Sequence, residues 1–334
     1  MTRRFAIARA SFDAARRPAG AGPERIDGHG FVARAWAPAR HPGADEQLEA
    51  ALNAAVAPLD GVLLNSLLTD SGDVALARWL APRIQGHAPL RMEIAHGPGA
   101  GASVDTAGPA YLWRRLRFEA AHRLPHVPAD HKCARLHGHG FEAALHVRAQ
   151  GRDEDGAGLT AAGRRIAERL HGVCLNDVPG LDNPTSERLA QWIWRSLAGE
   201  LDLSSVSVFE TCTSGCRFDG RDTRIWKSSR FEAALATPDG LSGHSYRVRL
   251  HAGGTLDPVL GWVLDYGEMK ALFEPLYRRL DHHRLDEVLG GAATPAAVAQ
   301  WILDGLTPSL PRLAGVDVWP TPNRGILVRR EPTA

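Results

Sequence analysis

Apolar positions along this chain switch between two periods. Leu189, Trp192, Ile193 and Leu197 recur at the spacing that puts them on one face of a helix. A strand instead sends alternate side chains to opposite faces, so residues two apart point the same way. A strand begun near Leu136 and continued from Phe141 to Val147 therefore projects His137 and His139 together, and a neighbouring strand over Arg117–His122 brings in His122. Asn183-Pro184 and Thr294-Pro295 each place a capping residue before proline, the pattern of a helix start. The Ala/Gly/Pro-rich stretches 16–23, 37–44 and 97–109 read as loops.

The same order of elements occurs three times, at a period of about 111 residues. Phe12-Asp13-Ala14-Ala15, Phe118-Glu119-Ala120-Ala121 and Phe231-Glu232-Ala233-Ala234 open the three copies. Gly-His-Gly follows at 28–30 and 138–140, and Gly-His-Ser at 243–245. A first helix ends at Leu59-Asp60-Gly61, Leu170-His171-Gly172 and Leu280-Asp281-His282, and a second carries Trp79, Trp192 and Trp301. Each copy then closes on apolar strands, giving strand, strand, helix, helix, strand, strand. The expected division is 1–110, 111–228 and 229–334.

Composition narrows the function classes. The chain has 334 residues, 44% of them hydrophobic, enough for a sizeable core. Its 39 basic and 38 acidic residues leave a net charge of +1 with no charged run, so nucleic acid and membrane surfaces are not expected partners. No apolar run reaches the roughly 18–20 residues of a membrane span, and no signal peptide is evident. Four cysteines (Cys133, Cys174, Cys212 and Cys216) are too few for a disulfide framework, which makes a reducing cytoplasm the expected location.

The three copies differ in chemistry. Only the middle one holds three histidines, His122, His137 and His139, in positions suited to zinc with an open fourth site, and Cys133 lies four residues before His137. The first copy has Arg16, Asp27 and His29 there, and the third has Leu235, Ser242 and His244. The third copy alone keeps an Asp-His pair, Asp281-His282, of the kind that moves protons. Complementary losses of this sort point to one composite site drawing on copies two and three.

The middle copy, over Phe118–Gly140, Leu175–Trp194 and Phe209–Cys216, resembles the 6-carboxytetrahydropterin synthase branch of the 6-pyruvoyltetrahydropterin synthase family. The third copy is similar to the family through Asp257-Pro258, Gly261–Tyr266, Lys270 and Leu280–His283. The resemblance implies an α+β fold of three tandem tunnelling-fold (T-fold) repeats forming a pseudo-trimeric, twelve-stranded antiparallel barrel with helices outside. Two such rings can stack as a homodimer. It places zinc on His122, His137 and His139, the catalytic thiol on Cys133, and the acid–base pair on Asp281 and His282. The pterin-anchoring carboxylate falls on Glu210, with Glu93 as its counterpart in the first copy. Nearby zinc, together with Lys132 or Arg135, is expected to lower the Cys133 pKa and favour its thiolate. His126 and His131, in the same loop, read by default as surface residues.

The implied reaction converts 7,8-dihydroneopterin triphosphate to 6-carboxy-5,6,7,8-tetrahydropterin, releasing acetaldehyde and triphosphate on the way to queuosine and other 7-deazapurines. Two alternatives stand beside it. One is a 6-pyruvoyltetrahydropterin synthase-like or other pterin side-chain lyase. The other is a non-catalytic pterin-binding or zinc-stabilised interaction protein.

Overall fold

A computed structural model describes residues 1–18, 22, 24–97, 99–149, 156–237 and 240–331. The first third contains β1 (Thr2–Arg16), β2 (Asp27–Pro38), α1 (Ala44–Val56), α2 (Asp73–Leu80), β3 (Arg91–His96) and β4 (Ala100–Asp105). The middle third contains β5 (Ala110–His122), β6 (His137–Arg148), α3 (Ala157–Leu170), α4 (Ser186–Leu197), β7 (Leu203–Thr211) and β8 (Ser214–Phe218). The last contains β9 (Thr223–Thr237), β10 (Gly240–Gly254), α5 (Tyr266–Leu280), β11 (His283–Arg284), α6 (Leu285–Leu289), α7 (Pro295–Leu306), β12 (Leu313–Trp319) and β13 (Arg324–Arg330). Apart from the short β11 and α6, each third repeats β-β-α-α-β-β. The fold is α+β and of the tunnelling-fold class. Among the described residues, no helix is long and apolar enough to cross a membrane.

By contact the chain falls into two compact units: residues 1–110, 228–251 and 269–334 in one, 111–227 and 252–268 in the other. In the first, the strands lie in the order β10-β12-β13-β1-β2-β3-β4, with most of β9 paired to β10, and in the second β5-β6-β7-β8 with the first residues of β9. The ladders between long strands run antiparallel, as in β1–β2 and β5–β6. Alternation decides which face is covered. Ala6, Ala8, Ala10, Phe12 and Ala14 of β1 are buried, and α1 packs on this strand. In β5 and β6 the buried series is Phe118, Ala120 and His122 with Phe141, Ala143 and Leu145. One aromatic pair is stacked in each third: Phe12–Phe31 at 5.2 Å between centroids, Phe118–Phe141 at 5.4 Å and Phe231–Tyr246 at 5.0 Å.

The junction after the first helix is built the same way three times. The side chains of Asp60, His171 and Asp281 accept from the backbone N–H of Asp13, Glu119 and Glu232, at 2.8, 3.2 and 2.9 Å. The next residue then donates its own N–H to the same strand residue's carbonyl, at 2.7 Å from Gly61, 2.7 Å from Gly172 and 2.6 Å from His282. To make both bonds the chain turns left-handed, with φ of 70° at Gly61, 73° at Gly172 and 60° at His282. Glycine takes that conformation freely, whereas a residue with a Cβ is strained there. His282 is the one non-glycine residue with positive φ among those described.

Two local expectations fail. The stretch 97–109, read as a loop from its small residues, contains β4. Its Gly101, Ala102, Ser103 and Val104 are all buried, and small side chains suit a strand packed on both faces, here paired to β3. Asn183 does not cap α4. The Thr185 hydroxyl accepts from Arg188 N–H at 3.1 Å, while the Asn183 amide donates to the Leu260 carbonyl at 2.8 Å. For α7 the cap is Thr294 with Pro295 next, as the sequence indicates.

Candidate active site

His122 closes β5, His137 opens β6 directly opposite, and His139 follows two residues on. All three continue the core-facing series of Phe118 and Phe141 past the end of the apolar packing. Phe209 pairs with Glu142, so the next residue of β7, Glu210, comes to the same place. One ligand atom from each of His122, His137, His139 and Glu210 lies within 4.8 Å of the others.

The hydrogen bonds orient these rings for a cation. His122 Nδ1–H donates to the Pro184 carbonyl at 2.9 Å, and His137 Nδ1–H donates to the Arg135 carbonyl at 2.8 Å. A carbonyl can only accept, so each ring carries its proton on Nδ1 and turns the Nε2 lone pair inward. Those two Nε2 atoms are 3.1 Å apart. Two lone pairs so close repel unless a proton or a metal ion lies between them. His139 Nε2 is buried, with Glu210 Oε1 3.3 Å away. Backbone carbonyls holding the outer nitrogens are the usual support of metal-bound imidazole. The donor set fits zinc, with three imidazoles as ligands.

The electrostatics agree with a cation site. Burial lowers the His122 pKa, and the neighbouring His137 and His139 lower it further. Burial works to raise the Glu210 carboxyl, but the surrounding imidazoles outweigh it and keep it ionised below its usual range. Cys133 corrects an expectation. Burial raises the thiol, Glu210 and Asp265 raise it too, and Lys132 opposes them without prevailing. The protein's own groups therefore disfavour the thiolate.

A cavity of about 460 Å³ opens over this cluster, within the range of small-ligand sites. Cys133, His137, His139, Glu187, Glu210 and Lys227 line it, together with Trp262, Asp265 and Tyr266 from the last third of the chain. That segment, part of the second compact unit, is bonded to the start of α4. The Thr185 hydroxyl donates to the Gly261 carbonyl at 2.7 Å, Val263 N–H donates to Glu187 at 3.1 Å, and the Ser186 and Tyr266 hydroxyls are 3.0 Å apart. Glu187 is fully enclosed, and burial pushes its carboxyl up to about 7.

Glu93 is not the counterpart of Glu210. The β2–β3 register sets His96 opposite Phe31, as Glu210 stands to Phe141, while Glu93 faces Arg34 and pairs with it at 2.9 Å. Glu93 lies three residues before His96, and the two-residue alternation of a strand sends it to the other face. The sequence reading also passed over Glu187, Asp265 and Tyr266 as site residues. They stand inside the resembling stretches Asn183–Glu187 and Gly261–Tyr266, which was the available signal.

Asp281 and His282 belong to the first compact unit. His282 Nδ1 lies 2.9 Å from Asp281 Oδ2, and its ring is 77% exposed. The Glu232 N–H and then His282 hold the Asp281 carboxyl below its usual range.

Fold and site together describe a small-ligand cavity lined by a cluster able to hold a metal ion, a thiol and buried carboxyl groups. The family model described as 6-pyruvoyl tetrahydropterin synthase matches residues 111–221 and 224–331. A curated relative from Synechocystis, 6-carboxy-5,6,7,8-tetrahydropterin synthase, is 40% identical over 119 residues, which cover 32% of this chain and 91% of the relative. Among solved structures, the Caenorhabditis elegans 6-pyruvoyl tetrahydropterin synthase matches at 22% identity and a TM-score of 0.29, over 31% of this chain and 92% of its own. The Plasmodium falciparum enzyme matches at 16% and 0.28, over 33% and 99%. The chain belongs to the 6-pyruvoyl tetrahydropterin synthase family, and is a pterin lyase.

Proposed function

We propose that this chain, built of three tandem repeats, is a zinc-dependent carbon–carbon lyase. Its substrate is 7,8-dihydroneopterin triphosphate and its product 6-carboxy-5,6,7,8-tetrahydropterin, a step toward queuosine in the cytoplasm. The observation that carries this reading is the cluster of His122, His137, His139 and Glu210 at the base of a cavity that Cys133 also lines. The Synechocystis relative, which carries the carboxy-product name, supports the choice of product.

His122, His137 and His139 would hold the zinc, which supplies a Lewis acid for substrate oxygens. Glu210 accepts paired hydrogen bonds from the amino and ring N–H groups of the pterin. Glu187, its carboxyl pushed up to about 7 and so about half protonated near pH 7, lines the same cavity. Cys133 takes a proton from the substrate side chain. Burial, Glu210 and Asp265 raise its pKa, and a cation held beside it would offset them and favour the thiolate that accepts the proton. Asp281 orients His282 to carry protons. The left-handed backbone at His282 supports that role, because strained residues of this kind persist where the side chain is needed.

The test is incubation of the full-length protein with 7,8-dihydroneopterin triphosphate, with the product identified by mass and the metal counted. One zinc per chain and the 6-carboxy product are expected. A chelator should stop turnover without unfolding the protein. A 6-pyruvoyl product reassigns the reaction, and zinc loss that unfolds an inactive chain favours the interaction-protein alternative.

A further inference from the structure

We infer that Asp265 and His131 form a positioning pair that fixes the Cys133 turn, so that the last third of the chain helps to aim the thiol supplied by the middle third. This rests on the lyase reading above.

Cys133 lies in a single helical turn, Lys132–Ala134, capped by His131. His131 Nδ1 accepts the Cys133 N–H at 3.2 Å. A nitrogen that accepts carries no proton, so the proton of the neutral ring sits on Nε2, and Nε2 donates to Asp265 Oδ2 at 2.7 Å. The second oxygen of Asp265 accepts the Gly267 N–H, so both carboxylate oxygens are engaged. The His131 ring leans on Trp262, with centroids 6.0 Å apart. On the other side the Cys133 carbonyl accepts from Leu124 N–H at 2.8 Å, two residues beyond the metal-facing His122. Both backbone groups of Cys133 are therefore tied, one to the end of β5 and the other through His131 to Asp265, 134 residues downstream of His131. The side chain alone is left to move, and it lines the cavity. His131, which sequence alone assigns to a surface loop, joins two distant segments. All of these residues lie in the second compact unit.

The test compares Asp265→Ala, Asp265→Asn and His131→Asn in the full-length zinc-loaded protein. Two readouts are taken: steady-state turnover, and the iodoacetamide alkylation rate of Cys133 followed by peptide mass mapping. Asp265→Ala should lower kcat about tenfold or more with KM little changed, since small displacements of a reacting group carry penalties of this order. It should also change the alkylation rate at Cys133 but not at Cys212. Asp265→Asn should recover to within about threefold of wild type, because its amide oxygen still accepts from Nε2–H. Asparagine at 131 keeps a side-chain oxygen for the Cys133 N–H but cannot reach Asp265, so His131→Asn should share the alanine variant's defect. Wild-type kcat and alkylation rate in Asp265→Ala, or in His131→Asn should the alanine variant not fold, would overturn the pairing. Alkylation needs no substrate, so a wild-type protein that makes no pterin product would refute the lyase reading and leave this readout standing.

Discussion

The first and middle thirds of the chain put different residues on the same framework. Where β5 and β6 bring His122 opposite His137, β1 and β2 bring Arg16 opposite Asp27. Where the middle third has Glu210, the first has His96. The middle cluster gathers three imidazoles and a carboxylate around one place that a cation can fill. The first third brings its own cation: Arg16 Nη1 lies 2.6 Å from Asp73 Oδ1, and His96 Nδ1 lies 2.8 Å from Asp73 Oδ2. Burial works to raise the Asp73 carboxyl, but His96 and Arg16 outweigh it and hold it low. A guanidinium thus does in one third what a metal ion would do in the other. In these two thirds the same place of the framework suits a positive charge, supplied in the first by Arg16.

Several experiments would break or sharpen this contrast. His137→Ala removes one ligand of three, and both bound zinc and turnover should be lost while the fold persists; metal analysis beside an activity assay checks this. Arg16→Ala leaves the Asp73 carboxylate buried beside His96 alone, and should cost about 3–5 kcal/mol in denaturant unfolding. An unchanged midpoint would show that Arg16 does not stand in for a metal.

The two buried carboxyls should respond to pH in opposite directions. Asp73, held low, contributes stability that is present above its unfolded pKa and lost as pH falls through the folded value. Glu187, pushed up to about 7, folds most favourably when protonated. Its contribution is complete below the ordinary carboxyl pKa and lost as pH rises through about 7, a swing of about 3 kcal/mol at most. Glu187→Gln should flatten the fall in melting temperature between about pH 5 and 8, the window set by that shift.

The smallest effect on stability is expected at His282. Replacement by glycine relieves the left-handed strain and should stabilise the protein by about 1 kcal/mol while abolishing turnover. A destabilised glycine variant would mean that the ring's contact with Asp281 outweighs the strain.

Much of this framework was legible in the sequence. The triple pattern of Phe strand, Gly-His strand and Trp helix gives the element order, and two-residue spacing puts His137 and His139 on one face. The rest depends on register and on distant partners. Glu93 and His96 are three residues apart, and only the β2–β3 pairing shows that His96 faces the cluster. Asp265 cannot be tied to His131 from spacing, because the bond closes a loop of more than a hundred residues. Loss of the Asp-His pair in the other thirds looks like decay when read as letters. As backbone it reads differently: Gly61 and Gly172 occupy a position where glycine is the relaxed choice, and His282 is the exception.

That exception bears on how such a chain evolves. An assembly of three identical subunits must carry every substitution three times, so a strained histidine would burden each copy. A chain that holds the three copies in tandem can accept the strain once, at His282, and let the other two junctions relax to glycine. The same freedom lets Arg16 fill one place while His122 keeps its ligand role in another. Fusion turns a symmetry constraint into three independent sites of selection.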